Sequence, residues 1–110
     1  MLLTSRTPIN TANDDDQDGN PAGGAVAGIG ISIRWQSGPL GRGADARPQN
    51  GAFVEDVLFA ALQRLYYYQG SKYSCRENAV AITHIEEAMM WLNARMAERE
   101  RRQVQGTHQV

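Results

Sequence analysis

The chain holds a single cysteine, Cys75, which excludes an internal disulfide framework and a cysteine-built zinc cage. Its two histidines, His84 and His108, are too few for a histidine-based metal centre without help from carboxylates. No apolar run comes near the length that a membrane-crossing helix needs. Met1-Leu2-Leu3-Thr4-Ser5-Arg6 lacks a basic segment leading into an apolar one, so no secretory leader is expected and the compartment is expected to be cytosolic. Charge of one sign is also lacking. The formal net charge is −1 over 110 residues, which argues against a coat for a nucleic-acid polymer. One small domain is the size expectation.

Bulky apolar residues are scarce after Ile9 and before Gly28, and the segment carries Asp14, Asp15, Asp16 and Asp18. Residues 1–27 therefore read as a disordered acidic tail, unable to bury enough surface to offset its ordering entropy. The remaining domain, 28–110, is near the size where one core is marginal and oligomerisation supplies the missing burial. Ile29, Ile31, Ile33 and Trp35 alternate with Gly30, Ser32, Arg34 and Gln36, the period of a half-buried strand. Gln36-Ser37-Gly38-Pro39 signals a turn, with a short return strand expected between Leu40 and Arg47, so that 28–48 forms a β-hairpin.

Two helices follow. Asn50-Gly51 is read as opening the first, over 51–69, with Glu55 and Asp56 at its positive end and Gly70 able to close it in a left-handed conformation. Ser74 and Glu77 fit a capping box that starts the second, over 75–102. Asn78, Ile82, Ile85, Met89, Leu92 and Met96 repeat at steps of four and three, the seam of a coiled coil. At 1.5 Å per residue this helix is roughly 42 Å long, more than the first can cover. The fold class is thus α+β: a short N-terminal antiparallel β-hairpin, then a two-helix antiparallel hairpin with a long C-terminal helix, in an oligomer.

Three motifs imitate known sites. Asp14-Asp15-Asp16-Gln17-Asp18-Gly19 resembles the start of a calcium loop, but Ala25 stands where a bidentate Glu is required. Gly24-Ala25-Val26-Ala27-Gly28-Ile29-Gly30 resembles a dinucleotide fingerprint without the strand before it or the helix after it. His84 and Glu87 share a helical face but lack a third ligand, and Cys75 lies beside a helix start without a base to activate it. Neither a metal, a cofactor nor a catalytic set is expected. Two features are left: Tyr66-Tyr67-Tyr68 with Tyr73 around the inter-helix turn, and Arg95, Arg99 and Arg102 on one helical face. The aromatics can be core or stacking platforms; the arginines can be a solvated helix end or a phosphate grip.

The run Ser74-Cys75-Arg76-Glu77-Asn78-Ala79, with Ile85-Glu86-Glu87-Ala88-Met89-Met90-Trp91-Leu92-Asn93 and Arg95 downstream, closely resembles a known family. It is the helical-hairpin domain of phage Thoeris anti-defence proteins of the first type, shared with the phage anti-CBASS cyclic-nucleotide sponges. Ile33-Arg34-Trp35-Gln36-Ser37-Gly38-Pro39 and the stretch from Asn50-Gly51 to Tyr68-Gln69 extend the likeness, which runs from about Ile29 to His108. The resemblance implies a sponge in the host cytoplasm that sequesters glycocyclic ADP-ribose without catalysis, as a dimer or hexamer. Some members also hold cyclic di- or trinucleotides. It further implies that Tyr68, where relatives often have Phe, stacks the adenine, that Asn78 contacts the ligand, and that Arg95 and Arg99 contact phosphates. A loop arginine of the family corresponds to Arg42. Arg76, Gly106 and Thr107 correspond to a second, trinucleotide pocket, although Gln103 and Gln105 replace the Gly and Glu of the usual family tail. Three other readings stay open: a sponge for CBASS signals alone, an enzyme that degrades the signal, and an oligomerisation module that binds nothing.

Overall fold

The computed structural model describes residues 3–102 and 106–110; Gln103 and Gln105 lie outside the described residues. The fold is α+β, a three-stranded antiparallel sheet followed by two helices. The chain divides into two compact units. One holds the described residues through Ala52 and the returning segment Gly106–Gln109, and the other begins at Phe53.

The sheet unit is a meander of β1 (Ile9–Asp15), β2 (Pro21–Gly28) and β3 (Ile31–Ser37), in that spatial order. The expected disordered tail is therefore corrected: most of residues 9–27 is strand. Turn chemistry supplies what apolar burial does not. Asp16 Oδ1 accepts from the backbone N–H groups of Asp18 and Asn20, both at 2.9 Å, while Asp16 N–H donates to Asn20 O at 2.9 Å. The acidic run is thus an Asx-stabilised hairpin turn, with Gly19 at φ +80°. These bonds from the Asn20 and Asp18 amides hold the Asp16 carboxyl below its usual range.

The second turn is Ile29-Gly30, between the paired residues Gly28 and Ile31. Ile29 is consequently 86% exposed rather than a strand residue of the apolar face. Cross-strand register sets Ile9 and Ile31, Val26 and Ile33, and Trp35 on one half-buried face. Ala12, Ala25 and Arg34 share the other.

The return strand expected between Leu40 and Arg47 is replaced by a loop with a single 3-10 turn, Gly43–Asp45. The outer edge of β3 is instead taken by the segment that had been expected to open a helix. Ala52 N–H donates to Arg34 O (2.8 Å) and Gln36 N–H donates to Ala52 O (3.0 Å), a parallel bridge. Asn50 fastens it: its Oδ1 accepts from Ser37 N–H at 2.8 Å and its Nδ2 donates to Ser37 O at 3.0 Å. Gly51 must be glycine there, because a Cβ would lie 2.5 Å from the Trp35 carbonyl.

The helical unit holds α1 (Val54–Gln69) and α2 (Arg76–Arg101), both shorter than expected at their starts. The two helices pack together, and their buried or half-buried apolar positions include Leu58, Leu62 and Leu65 on α1 and Ile82, Ile85, Met89 and Leu92 on α2. Only Leu62, at 5% exposure, is a buried hydrophobic residue among the described residues. Phe59, Met90, Trp91 and Met96 remain exposed. Tyr66 Oη donates to Glu86 Oε2 at 2.6 Å and pins the pair; the accepting carboxylate raises the Tyr66 pKa.

Candidate functional site

The inter-helix turn is built differently from the capping box the sequence suggests. Cys75, not Ser74, is the N-cap, and its Sγ accepts from Asn78 N–H at 3.4 Å. The reason is Gln69, whose amide grips Cys75 from both sides. Cys75 N–H donates to Oε1 (2.9 Å) and Nε2 donates to Cys75 O (3.1 Å), holding that backbone extended. Gly70 is not left-handed either, with φ −84°. Ser71 closes the helix instead, its N–H and Oγ both donating to Tyr68 O, at 3.0 and 2.6 Å.

This turn gathers several of the residues the sequence singles out. Tyr68 ends α1 at 37% exposure, Tyr73 lies in the loop at 66%, and half-buried Asn78 stands on the first turn of α2. Asn78 Nδ2 donates to Tyr73 O at 3.5 Å, so the amide is drawn toward the loop. Arg76 occupies the first position of α2 and is exposed. Tyr67 and Tyr68 form a tilted ring pair, 5.9 Å between centroids at 58°. Arg64, which the sequence reading passed over, lies 5.0 Å from the centre of each ring. Its spacing of three and four residues from the two tyrosines was a signal that could have found it.

Arg95 and Arg99 do not join this group within one chain. Asn78 and Arg95 are about 25 Å apart along α2 at 1.5 Å per residue. Arg95 is exposed and makes no ion pair among the described residues. Arg99 is half-buried one turn further on. Arg102, their expected companion, is engaged elsewhere: Nε is 3.5 Å from Glu98 Oε1 and Nη2 donates to Val110 O at 2.6 Å. Arg101 takes the same Glu98 in a fork at 2.6 and 3.0 Å, which lowers the Glu98 pKa.

Arg42, Gly106 and Thr107 belong to the sheet unit. Gly41 N–H donates to Gly106 O at 2.8 Å, placing Arg42 next in sequence to the contact and Thr107 on its other side. Gly106, at φ +80°, has no room for a Cβ, which would meet Gly41 O at 2.4 Å. His84 Nδ1 approaches Glu87 at 3.8 Å, but no cluster of three metal-ligating side chains occurs among the described residues. No helix among the described residues is long and apolar enough to cross a membrane. Two open apolar clefts run along α2. One of about 340 Å³ is lined by Glu55, Met89, Met90, Asn93 and Met96, and one of about 270 Å³ by Glu87, Met90, Trp91 and Ala94.

The family model described as Acb2/Tad1, hairpin domain, matches residues 28–97, which takes in β3 and both helices up to Ala97 but leaves β1 and nearly all of β2 outside. The chain is also similar to "Thoeris anti-defense 1" of Bacillus phage SBSphiJ7, with 49% identity over 83 residues. That match covers 76% of this chain and 56% of the phage protein, so the chain spans little more than half the length of that relative. A match over more than half of its residues, through strand, turn and both helices, makes this chain a member of the Acb2/Tad1 hairpin-domain family.

Proposed function

We propose that this protein is a phage anti-defence sponge that binds glycocyclic ADP-ribose in the host cytoplasm and withholds it, undegraded, from Thoeris immunity. The observation that carries the reading is the arrangement of the helical hairpin. An exposed aromatic, Tyr68, and an amide, Asn78, stand at one end, and exposed arginine charge stands about 25 Å away. A compact cyclic nucleotide cannot touch both ends of one hairpin. It can touch both where a second copy lies antiparallel along α2, bringing its own Arg95 and Arg99 to the first copy's Tyr68 and Asn78. The exposed apolar stripe of Met90, Trp91 and Met96 gives a second copy its reason to dock, so a homo-oligomer, dimer or hexamer, completes the site.

The division of labour follows from the ligand's chemistry. A tyrosine face stacks the adenine, arginine forks grip the pyrophosphate, and the asparagine amide bonds sugar or base polar groups. A sponge works by mass action, so tight binding and copy number matter and turnover does not. Arg42 is assigned to the same ligand. Arg76 on the helical unit and Gly106 and Thr107 on the sheet unit are assigned to a second activity toward cyclic di- or trinucleotides, as the family resemblance implies.

The experiment is incubation with pure glycocyclic ADP-ribose, removal of free ligand, heating, and chromatography of what is released. Intact ligand in proportion to protein supports the sponge; breakdown products at substoichiometric protein overturn it. Parallel incubations with cyclic di- and trinucleotides read the second activity. Tyr68→Ala, Asn78→Ala and Arg95→Ala should each weaken binding by about ten- to a hundredfold with helical content unchanged, as loss of one stacking or charge-assisted contact implies.

A further inference from the structure

Arg64 is exposed on α1 and faces no carboxylate on its own helix: one turn back stand Ala60 and Ala61, one turn on Tyr67 and Tyr68. A surface arginine so placed is free to extend into water. Instead its guanidinium carbon stands 5.0 Å from the centroids of both rings, in the notch of the tilted pair. The planar guanidinium suits that position, since it can meet one aromatic face and offer its edge to the next.

A tyrosine on a helix surface rotates between rotamers, and binding that freezes it loses the corresponding entropy. Tyr67 is 61% exposed and Tyr68 37%, so neither ring is immobilised by burial. We propose that Arg64 is the positioning residue of the ligand site, bracing Tyr67 and Tyr68 from one side and leaving the other face of Tyr68 as the preset platform for a purine base. The inference rests on the reading of Tyr68 as a base-stacking residue and adds how that ring is held. It also sets which face is used: the side over Arg64 is occupied, so the base must approach from the opposite side. The guanidinium acts through the ring and does not touch the phosphates.

A double-mutant cycle tests this, with glycocyclic ADP-ribose as the probe and calorimetry as the readout. Arg64→Gln keeps helix propensity and removes the cation. In the native background it should weaken binding about two- to tenfold, the equivalent of freezing one ring on binding. In a Tyr68→Leu background the same change should cost nothing, because there is no ring left to brace. Melting temperature and subunit number should not move in either. Equal losses in both backgrounds would mean that Arg64 attracts the anion directly, and would overturn the proposal. So would an unchanged affinity for Arg64→Gln alongside a large loss for Tyr68→Leu. An unchanged affinity for Tyr68→Leu itself sinks the base-stacking reading, and the bracing role with it.

Discussion

The two units of this chain are ordered by different means. The sheet unit has few large apolar side chains and is held by backbone geometry: an Asx turn at Asp16, a two-residue turn at Ile29-Gly30, and the Asn50 clasp on the end of β3. The helical unit is held by side chains meeting along a seam, yet Leu62 is the one buried apolar residue among the described residues. The first unit is rich in backbone hydrogen bonds and poor in large apolar side chains. The second has apolar surface left over. A unit of the second kind invites another chain; a unit of the first kind stands or falls on single backbone contacts.

The sharpest way to break that comparison is to remove residues 1–27. That deletion strips β1 and all of β2 but Gly28, so β3 loses the ladder along one whole edge. The expected outcome is loss of the ordered Trp35 environment with the helical signal at 222 nm retained, since the helical unit begins at Phe53. A Trp91→Phe background makes Trp35 the sole tryptophan reporter. Coincident loss of both signals would show one cooperative unit rather than two.

Met89→Asp addresses the helical unit. Met89 lies half-buried on the seam and lines the 340 Å³ cleft beside Glu55 and Met96. A carboxylate there has no cation to meet among the lining residues and should cost about 3–5 kcal/mol if a second chain closes over it. Light scattering should report a monomer for the variant, against the oligomer proposed for the native chain. An unchanged subunit number would place the interface elsewhere.

Gly51→Ala has a smaller effect, confined to the sheet. Its Cβ would stand 2.5 Å from the Trp35 carbonyl carbon and oxygen, so backbone on both sides must shift. A loss of about 2–3 kcal/mol is expected from the Trp35-reported melt, the upper part of the usual range for a point change. The helical melt should not move.

What was legible in the sequence follows the same division. Side-chain periodicity announced both helices and the alternation of Ile31, Ile33 and Trp35, because burial there is written in apolar residues. β1 and β2 were missed because their order resides in turn chemistry: a run of aspartates carries no hydrophobic signal, though Asp16 with Gly19 and Asn20 is a turn signature when read as such. The expected return strand failed for a related reason. The edge of β3 went to Asn50–Ala52, whose Asn-Gly pair serves equally as a helix opening or as a close-approach segment, and only tertiary contact decides. Of the candidate site, pattern singled out the tyrosine cluster and the arginine face but left their roles open; Asn78 as a ligand contact and the choice of Tyr68, Arg95 and Arg99 came from family resemblance. Pattern could not separate Arg95 from Arg102, which the structure divides between a cation with no ion pair among the described residues and one held by Glu98 and Val110. It could have found Arg64.

The smallest expected effect concerns acid. The Asp16 carboxyl is held below its ordinary value, first by the Asn20 N–H and then by that of Asp18, while partial burial opposes the shift. A carboxyl with a depressed folded pKa contributes stability that is complete above its unfolded value and is lost as pH falls through the folded one. The β1–β2 turn should therefore be unaffected near neutrality and should loosen only below the normal carboxylate range. Because the group is only half-buried and acts within one turn, the change is local and the global melt should scarcely register it. Amide exchange is the sensitive measurement: protection of Asp18 and Asn20 N–H, corrected for intrinsic rates, should fall with acid while that of Val26 and Ile33 persists. Asp16→Asn keeps an acceptor oxygen but removes the charge, so it should remove the pH dependence and retain most of the protection. Acid loss of protection that survives in Asp16→Asn would assign the turn's order to another group.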